Sequence, residues 1–224
     1  SHTFYIAGEG AGGLKKRKEG YELEYNDGNP LPRLHMLPST GIDLTDPESV
    51  NRLISKLQST AEGEPIGMVV FDSYNTVMAQ SGKPFNENDA GDAGRVAVSM
   101  QRIAEKCGAA TGLVHHPAKG GKEPRGSGAL FGALTTSFLL EQPEEQWELN
   151  LYHTKSREGE KQSPRGFRMQ IRDLTVDEKD NAYIESLLGP VSERPEVEGA
   201  LPFKTSDRNS MPVLVDIALV PFGG

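Results

Sequence analysis

Cysteine is nearly absent: Cys107 is the only one in 224 residues. That excludes an internal disulfide and fits a reducing, cytoplasmic compartment. Long apolar runs are missing too. None approaches about 18 residues, so no segment is expected to span a membrane. No initiator Met precedes Ser1 and His2, which look like a tag remnant, and no signal peptide is expected. Positive charge is in deficit, 24 Lys and Arg against 32 Asp and Glu, for a net charge of −8. This argues against nucleic-acid binding over the whole surface but leaves room for a local basic channel. Internal repeats and low-complexity tracts are absent as well. What remains is enough chain for one α/β domain with a sizeable core, plus a tail.

Strand-like and helix-like segments alternate, as in βα units of a mostly parallel sheet. "TFYIAG" reads as a strand that runs into glycines and a basic helix start; residues 18–44, with Gly28, Pro30, Pro32, Pro38 and Gly41, read as loop. "DLTDPESVNRLISKL" opens a helix. Either Asp46 caps it with Pro47 at the first helical position, or Thr45 and Glu48 form a capping box one residue earlier. Val50, Leu53, Ile54 and Leu57 share one helical face. "IGMVVFDS" has no alternation and reads as a strand covered on both faces. Residues 91–107 read as a helix with Val96, Met100, Ile103 and Cys107 on one stripe and Gly108 as its stop. "AATGLVHH" is a further buried strand. "TTSFLLEQ", "WELNLYHTK" and "FRMQIRDL" follow as strands. From residue 174 on there are nine acids, four bases and five prolines, with one short apolar patch near Met211–Val220. This tail, 174–224, is expected to be a peripheral, partly irregular appendage to a core at 3–173.

A P-loop requires GxxxxGK[ST], so that backbone amides wrap the phosphates while Lys and a hydroxyl reach the outer phosphates and Mg²⁺. "GEGAGGLK", "SGKPF" and "GGKEP" all fail that pattern. Other residues still carry chemistry. Glu9 follows an apolar strand, and ligands of open α/β sheets bind at the carboxyl ends of strands. It is either a solvated turn acid or a carboxylate that orients a water. Asp72 ends "MVVFD"; it either holds the water shell of Mg²⁺ or caps the following turn with Ser73. His115 and His116 point to opposite faces of a strand, which suits a phosphate sensor and a core histidine better than a shared metal ion. Lys155 and Arg157, at i and i+2, can point the same way, toward a phosphate or simply toward solvent. The glycine-rich loop 117–127 sets Lys119, Lys122 and Arg125 against Glu123 alone. It is either a track for a nucleic-acid backbone or an ordinary surface loop.

Taken in order, "YIAGEGAGGLKKR", "VVFDSYNT", "NENDAGDAGRVAVSMQRIAEKCGAATGLVHHPAKGG", "PRGSGAL" and "HTKSREG" resemble the RecA-like ATPases of the plasmid RepA type, which are hexameric replicative helicases. The resemblance spans about residues 3–173. It implies a RecA-like P-loop NTPase core, with a mostly parallel twisted sheet, flanking helices and antiparallel C-terminal strands. It also implies ATP and Mg²⁺ as cofactors, single-stranded DNA as partner and a homo-oligomeric, hexameric ring. By position, Glu9 resembles the catalytic glutamate, Asp72 the Walker B aspartate with Ser73 beside it, and His116 the strand-end sensor. Arg125, Gly126 and Ser127 match the "RGS" after the DNA-contacting loop that carries Lys119 and Lys122. Lys155 and Arg157 resemble paired fingers that reach a neighbouring subunit's ATP. The βα unit bearing that family's P-loop has no counterpart before "YIAGEG". The expectation is therefore a fragment of a longer ATPase, with a non-catalytic assembly module of the same fold as the alternative.

Overall fold

The computed structural model describes residues 1–8, 11–117, 126–141, 148–170, 187–188 and 213–218. Four strands, β1 (His2–Ala7), β2 (Leu34–Pro38), β3 (Ile66–Asp72) and β4 (Ala110–His115), form a parallel half-sheet in the order β2-β1-β3-β4. The sheet continues through β9 (Val213–Ala218), β5 (Thr136–Glu141), β6 (Glu148–Ser156), β7 (Arg165–Gln170) and β8 (Leu187–Leu188), all paired antiparallel. The fold is α/β, a parallel half with an antiparallel C-terminal half. β9 runs against both β4 and β5, so β5 points the same way as β4. β1 to β5 therefore all run the same way, as does β7 beyond β6.

One face of the half-sheet is closed. Phe4, Ile6, Val69, Phe71 and Leu113 meet residues from α2 (Pro47–Thr60), α3 (Tyr74–Ala79), α4 (Ala90–Cys107) and α5 (Gly128–Ala133) in a single apolar core. The sequence signals of α2 and α4 are realised. Asp46 caps α2 by accepting from the Glu48 amide at 3.0 Å, with Pro47 in the first turn, while Thr45 turns its hydroxyl to Asp43 at 2.6 Å. Gly108 ends α4 in the left-handed conformation, φ 61°, which costs glycine nothing.

Three expectations change. First, residues 18–44 are not all loop: α1 (Ala11–Tyr25) runs through the first part and β2 lies in the second. α1 carries no apolar stripe. Its side chains are tied by the pairs Lys15–Glu19 and Lys18–Glu22, and Glu22 also accepts from the Leu31 amide at 2.6 Å, folding the loop back. β2 tolerates Pro38, its last residue, because it is an edge strand. Second, β3 is closed on one side only. Val69 and Phe71 are buried, while Met68 and Val70 are half-exposed on the face away from the four packed helices. Third, the tail is not peripheral where its apolar patch lies. Val213–Ala218 pairs with β4 on one side and β5 on the other, inside the sheet. Most of the rest of 174–224 lies outside the described residues.

Candidate nucleotide and metal site at the strand ends

β1 and β3 are neighbours in register, with Ala7 opposite Asp72. Just past the register, the Gly8 amide donates to the Asp72 carbonyl at 2.5 Å, and the Gly8 carbonyl accepts from the Gln80 side-chain amide. Gln80 is itself held by the hydroxyl of buried Ser39 at 2.8 Å, and the Ser39 amide donates to the Ala7 carbonyl at 3.0 Å. Four segments are thus stitched together where β1 ends. Position 8 has to be glycine here: a Cβ would stand 2.7 Å from Thr76 Cβ and 2.9 Å from the Val77 amide nitrogen. Glu9 is the next residue in the chain and lies outside the described residues.

Asp72 is half-exposed on the open face of the sheet. The Tyr5 hydroxyl, from the adjacent strand and the same face, donates to its Oδ2. Burial, then this bond and the carboxylate's charge, push the Tyr5 phenol well above its ordinary range, with Arg17 pulling weakly the other way. The peptide bond between Asp72 and Ser73 is cis. Ser73 is buried and opens α3. Its amide donates to the Thr76 hydroxyl at 3.0 Å and the two hydroxyls are 2.7 Å apart. Ser73 occupies the N-cap position of α3, while the Asp72 carboxylate ends β3 and takes Tyr5 as its partner.

The two histidines divide as alternation requires. His115 is buried, its ring edge-on to Tyr74 at 5.1 Å. His116 is half-buried, one residue past the end of β4, at the same edge as Asp72. Among the described residues, no group of three or more His, Cys, Asp or Glu could hold a metal ion. A hard Mg²⁺ does not need one. It keeps several waters and takes one or two carboxylates plus phosphate oxygens, and a single strand-end carboxylate fits that donor set.

Lys155 and Arg157 do point the same way. Lys155 Nζ donates to the Phe131 carbonyl and lies 3.3 Å from that of Gly132, and the Arg157 guanidinium donates to the Gly132 carbonyl as well. Nζ also sits 4.7 Å from the centre of the Phe131 ring. These carbonyls are at the end of α5, where a helix leaves acceptors without intrahelical partners and carries partial negative charge. Lys155 pairs with Ser137, and the register carried through β9 sets it level with Leu113, within a residue of Asp72 along the strands but four strands away across the sheet. At its other end α5 is pinned beside "RGS": the Ser127 amide donates to the Glu87 carbonyl at 2.8 Å. Gly126, φ +85°, packs so closely that a Cβ would stand 2.5 Å from that same oxygen. Lys119, Lys122 and Arg125 lie outside the described residues.

Residues 2–122, more than half of the chain, match the family model described as AAA domain. The chain belongs to the AAA domain family. The matched part of this AAA domain runs from β1 past β4 and holds Asp72, Ser73 and both strand-end histidines. No curated protein sequence matches the chain. A crystal structure of the RadB recombinase aligns with 75% of this chain and 74% of that one, at 16% identity and a TM-score of 0.46. No helix among the described residues of the AAA domain is long and apolar enough to cross a membrane.

Sequence reasoning missed Tyr5, Gln80 and the Phe131–Gly132 carbonyls. Tyr5 shares strand parity with Ala7, which alternation alone could have set on one face with it. Its meeting with Asp72 depends on the register of two strands far apart in sequence, which leaves no local signal.

Proposed function

We propose that this chain is the hydrolytic core of an ATP-driven motor that moves single-stranded DNA, a ring-forming replicative helicase of the RepA type. The observation that carries this is the junction of β1 and β3. There the Gly8 amide, at the end of β1, donates to the carbonyl of the acid that ends β3. In the proposed role, Asp72 holds the water shell of Mg²⁺, with Ser73 beside it, and Glu9 accepts a proton from the attacking water. His116, at the end of the next strand, donates to a phosphate oxygen. Bound Mg²⁺ would neutralise charge on the triphosphate. The chain's own groups orient water and phosphate, and phosphoryl transfer depends mainly on such positioning and charge.

Lys155, near the end of β6, and Arg157 just past it lie four strands across the sheet from Asp72, which favours service to a neighbouring copy's triphosphate over their own. That is the logic of a homo-oligomeric ring. The basic loop with Lys119, Lys122 and Arg125 leaves β4 at the Asp72 edge, and its role here is to follow the DNA backbone.

In the full-length protein, Glu9→Gln is expected to abolish ATP turnover while ATP binding, followed by a fluorescent nucleotide analogue, stays within about twofold of the parent. Retained turnover would remove Glu9 from this role.

A further inference from the structure

Asp72 has a partner that none of the roles above uses. Tyr5 reaches it from the neighbouring strand, across the open face of the sheet, and gives its hydroxyl to Oδ2. The phenol is rigid, with its ring rooted two residues before Ala7, the residue in register with Asp72. A carboxylate on a strand end otherwise turns about its side-chain torsions. With Oδ2 occupied, that freedom is lost and Oδ1 is the oxygen left to face incoming ligands.

We propose that Tyr5 is a positioning residue for the metal acid: it fixes the Asp72 carboxylate so that one oxygen meets the water shell of a divalent cation. This rests on the assignment of Asp72 to Mg²⁺ made above. Two effects of the bond oppose each other. Donation to Oδ2 draws some charge off the carboxylate, which weakens its pull on a cation. Fixed orientation saves the ordering cost that a free side chain pays on binding. The bond is made on Oδ2; with the water shell of a cation meeting Oδ1, the first effect would be diluted and the second would prevail. Removing it should therefore weaken metal binding by roughly 3- to 10-fold, the scale of one lost hydrogen bond.

The probe is Mn²⁺ alone, titrated into the purified chain, with paramagnetic broadening of proton resonances and water relaxation as readouts. In the parent, the Tyr5 ring signals are expected to broaden first. Asp72→Asn should abolish that broadening. Tyr5→Phe keeps the ring and its packing; its thermal midpoint should match the parent while its Mn²⁺ Kd rises by the stated factor. If Asp72→Asn removes binding but Tyr5→Phe binds as tightly as the parent, the positioning role is overturned and the metal assignment stands. If Asp72→Asn leaves the Mn²⁺ response unchanged, or the parent shows none, both are overturned. Should Tyr5→Phe not fold, the parent alone decides: Tyr5 signals that stay sharp while others broaden would overturn the proposal.

Discussion

Gly8→Ala is the smallest change that tests the strand-end junction. The added methyl would stand 2.7 Å from Thr76 Cβ and 2.9 Å from the Val77 nitrogen. Neither atom is the free end of a flexible chain: one is a branch point held by the Ser73 contacts, the other is helix backbone. The clash can be relieved only by moving the end of β1 away from α3. Overpacking of this kind costs about 1–3 kcal/mol. Parting Gly8 from Asp72 and Gln80 adds about 1 kcal/mol for each hydrogen bond lost. Alanine also restricts the unfolded chain, which returns about 0.4–1 kcal/mol. The net is a loss of roughly 2–5 kcal/mol, at about 2–4 °C of thermal midpoint per kcal/mol for a chain of this size.

The comparison that isolates the clash is Gly94→Ala, in the interior of α4, where a Cβ meets nothing within 4 Å. There the same chemical change should stabilise by about 0.5–1 kcal/mol, because only helix propensity is altered. Urea denaturation followed by circular dichroism would measure both. Gly8→Ala at or above parent stability, with Gly94→Ala stabilising as expected, would refute the close packing of the end of β1 on α3.

The remaining predictions concern assembly and pH. In mixtures of full-length subunits, Arg157→Ala copies should depress ATP turnover below the parent fraction, because one defective cation spoils a neighbour's site; activity in simple proportion would deny a trans role. Stability should fall in acid. Burial works to raise the carboxyls of Glu22 and Asp43, yet Lys18 and the Leu31 amide for Glu22, and Thr45 and Lys83 for Asp43, outweigh it and hold both below their ordinary values. Groups depressed in the folded state contribute above the unfolded carboxylate range and lose that contribution as pH falls through it, below about 4. Urea midpoints between pH 7 and 3 should therefore drop, and Asp43→Asn should flatten part of the slope. A midpoint that holds or rises below pH 4 would contradict the sign.

How much of this was legible depended on whether the signal is local. α2 and α4 show themselves because a cap, a stop and an apolar face lie within one segment: Asp46 with Pro47, Gly108, and the Val50–Leu57 and Val96–Ile103 stripes. α1 does not, since its helix is held by i,i+4 charge pairs and by a loop hydrogen bond, and a polar helix with an inner glycine looks like loop. β2 is masked by Pro30 and Pro32 before it and by Pro38 at its end, which an edge strand permits. Asp72 stands out because apolar residues lead straight into it. Its partner Tyr5 does not, because a parallel register is settled by the whole sheet and not by either strand. The apolar tail segment was visible as a patch, but a strand that pairs with two distant partners gives no hint of where it docks.

The same distinction bears on the cations. The i, i+2 spacing let Lys155 and Arg157 point the same way; it could not tell that, within a single copy, both meet the end of α5. To reach a phosphate on a neighbour, each must give up or share those carbonyls. A hydrogen bond from a charged donor is worth about 1.5–3 kcal/mol, less where solvent already reaches it, as it does at exposed Arg157. A multiply charged phosphate offers more than a neutral carbonyl, and a guanidinium has five donors, so it can hold Gly132 with one and a phosphate with others. Lys155 has three and a flexible stem, so it is the cation that must choose. α5 is six residues, about 9 Å long, and its first turn is fastened to Glu87 next to the basic loop. A pull on the cations at one end is thus delivered, through a helix too short to absorb it, to the segment that the proposed function assigns to DNA.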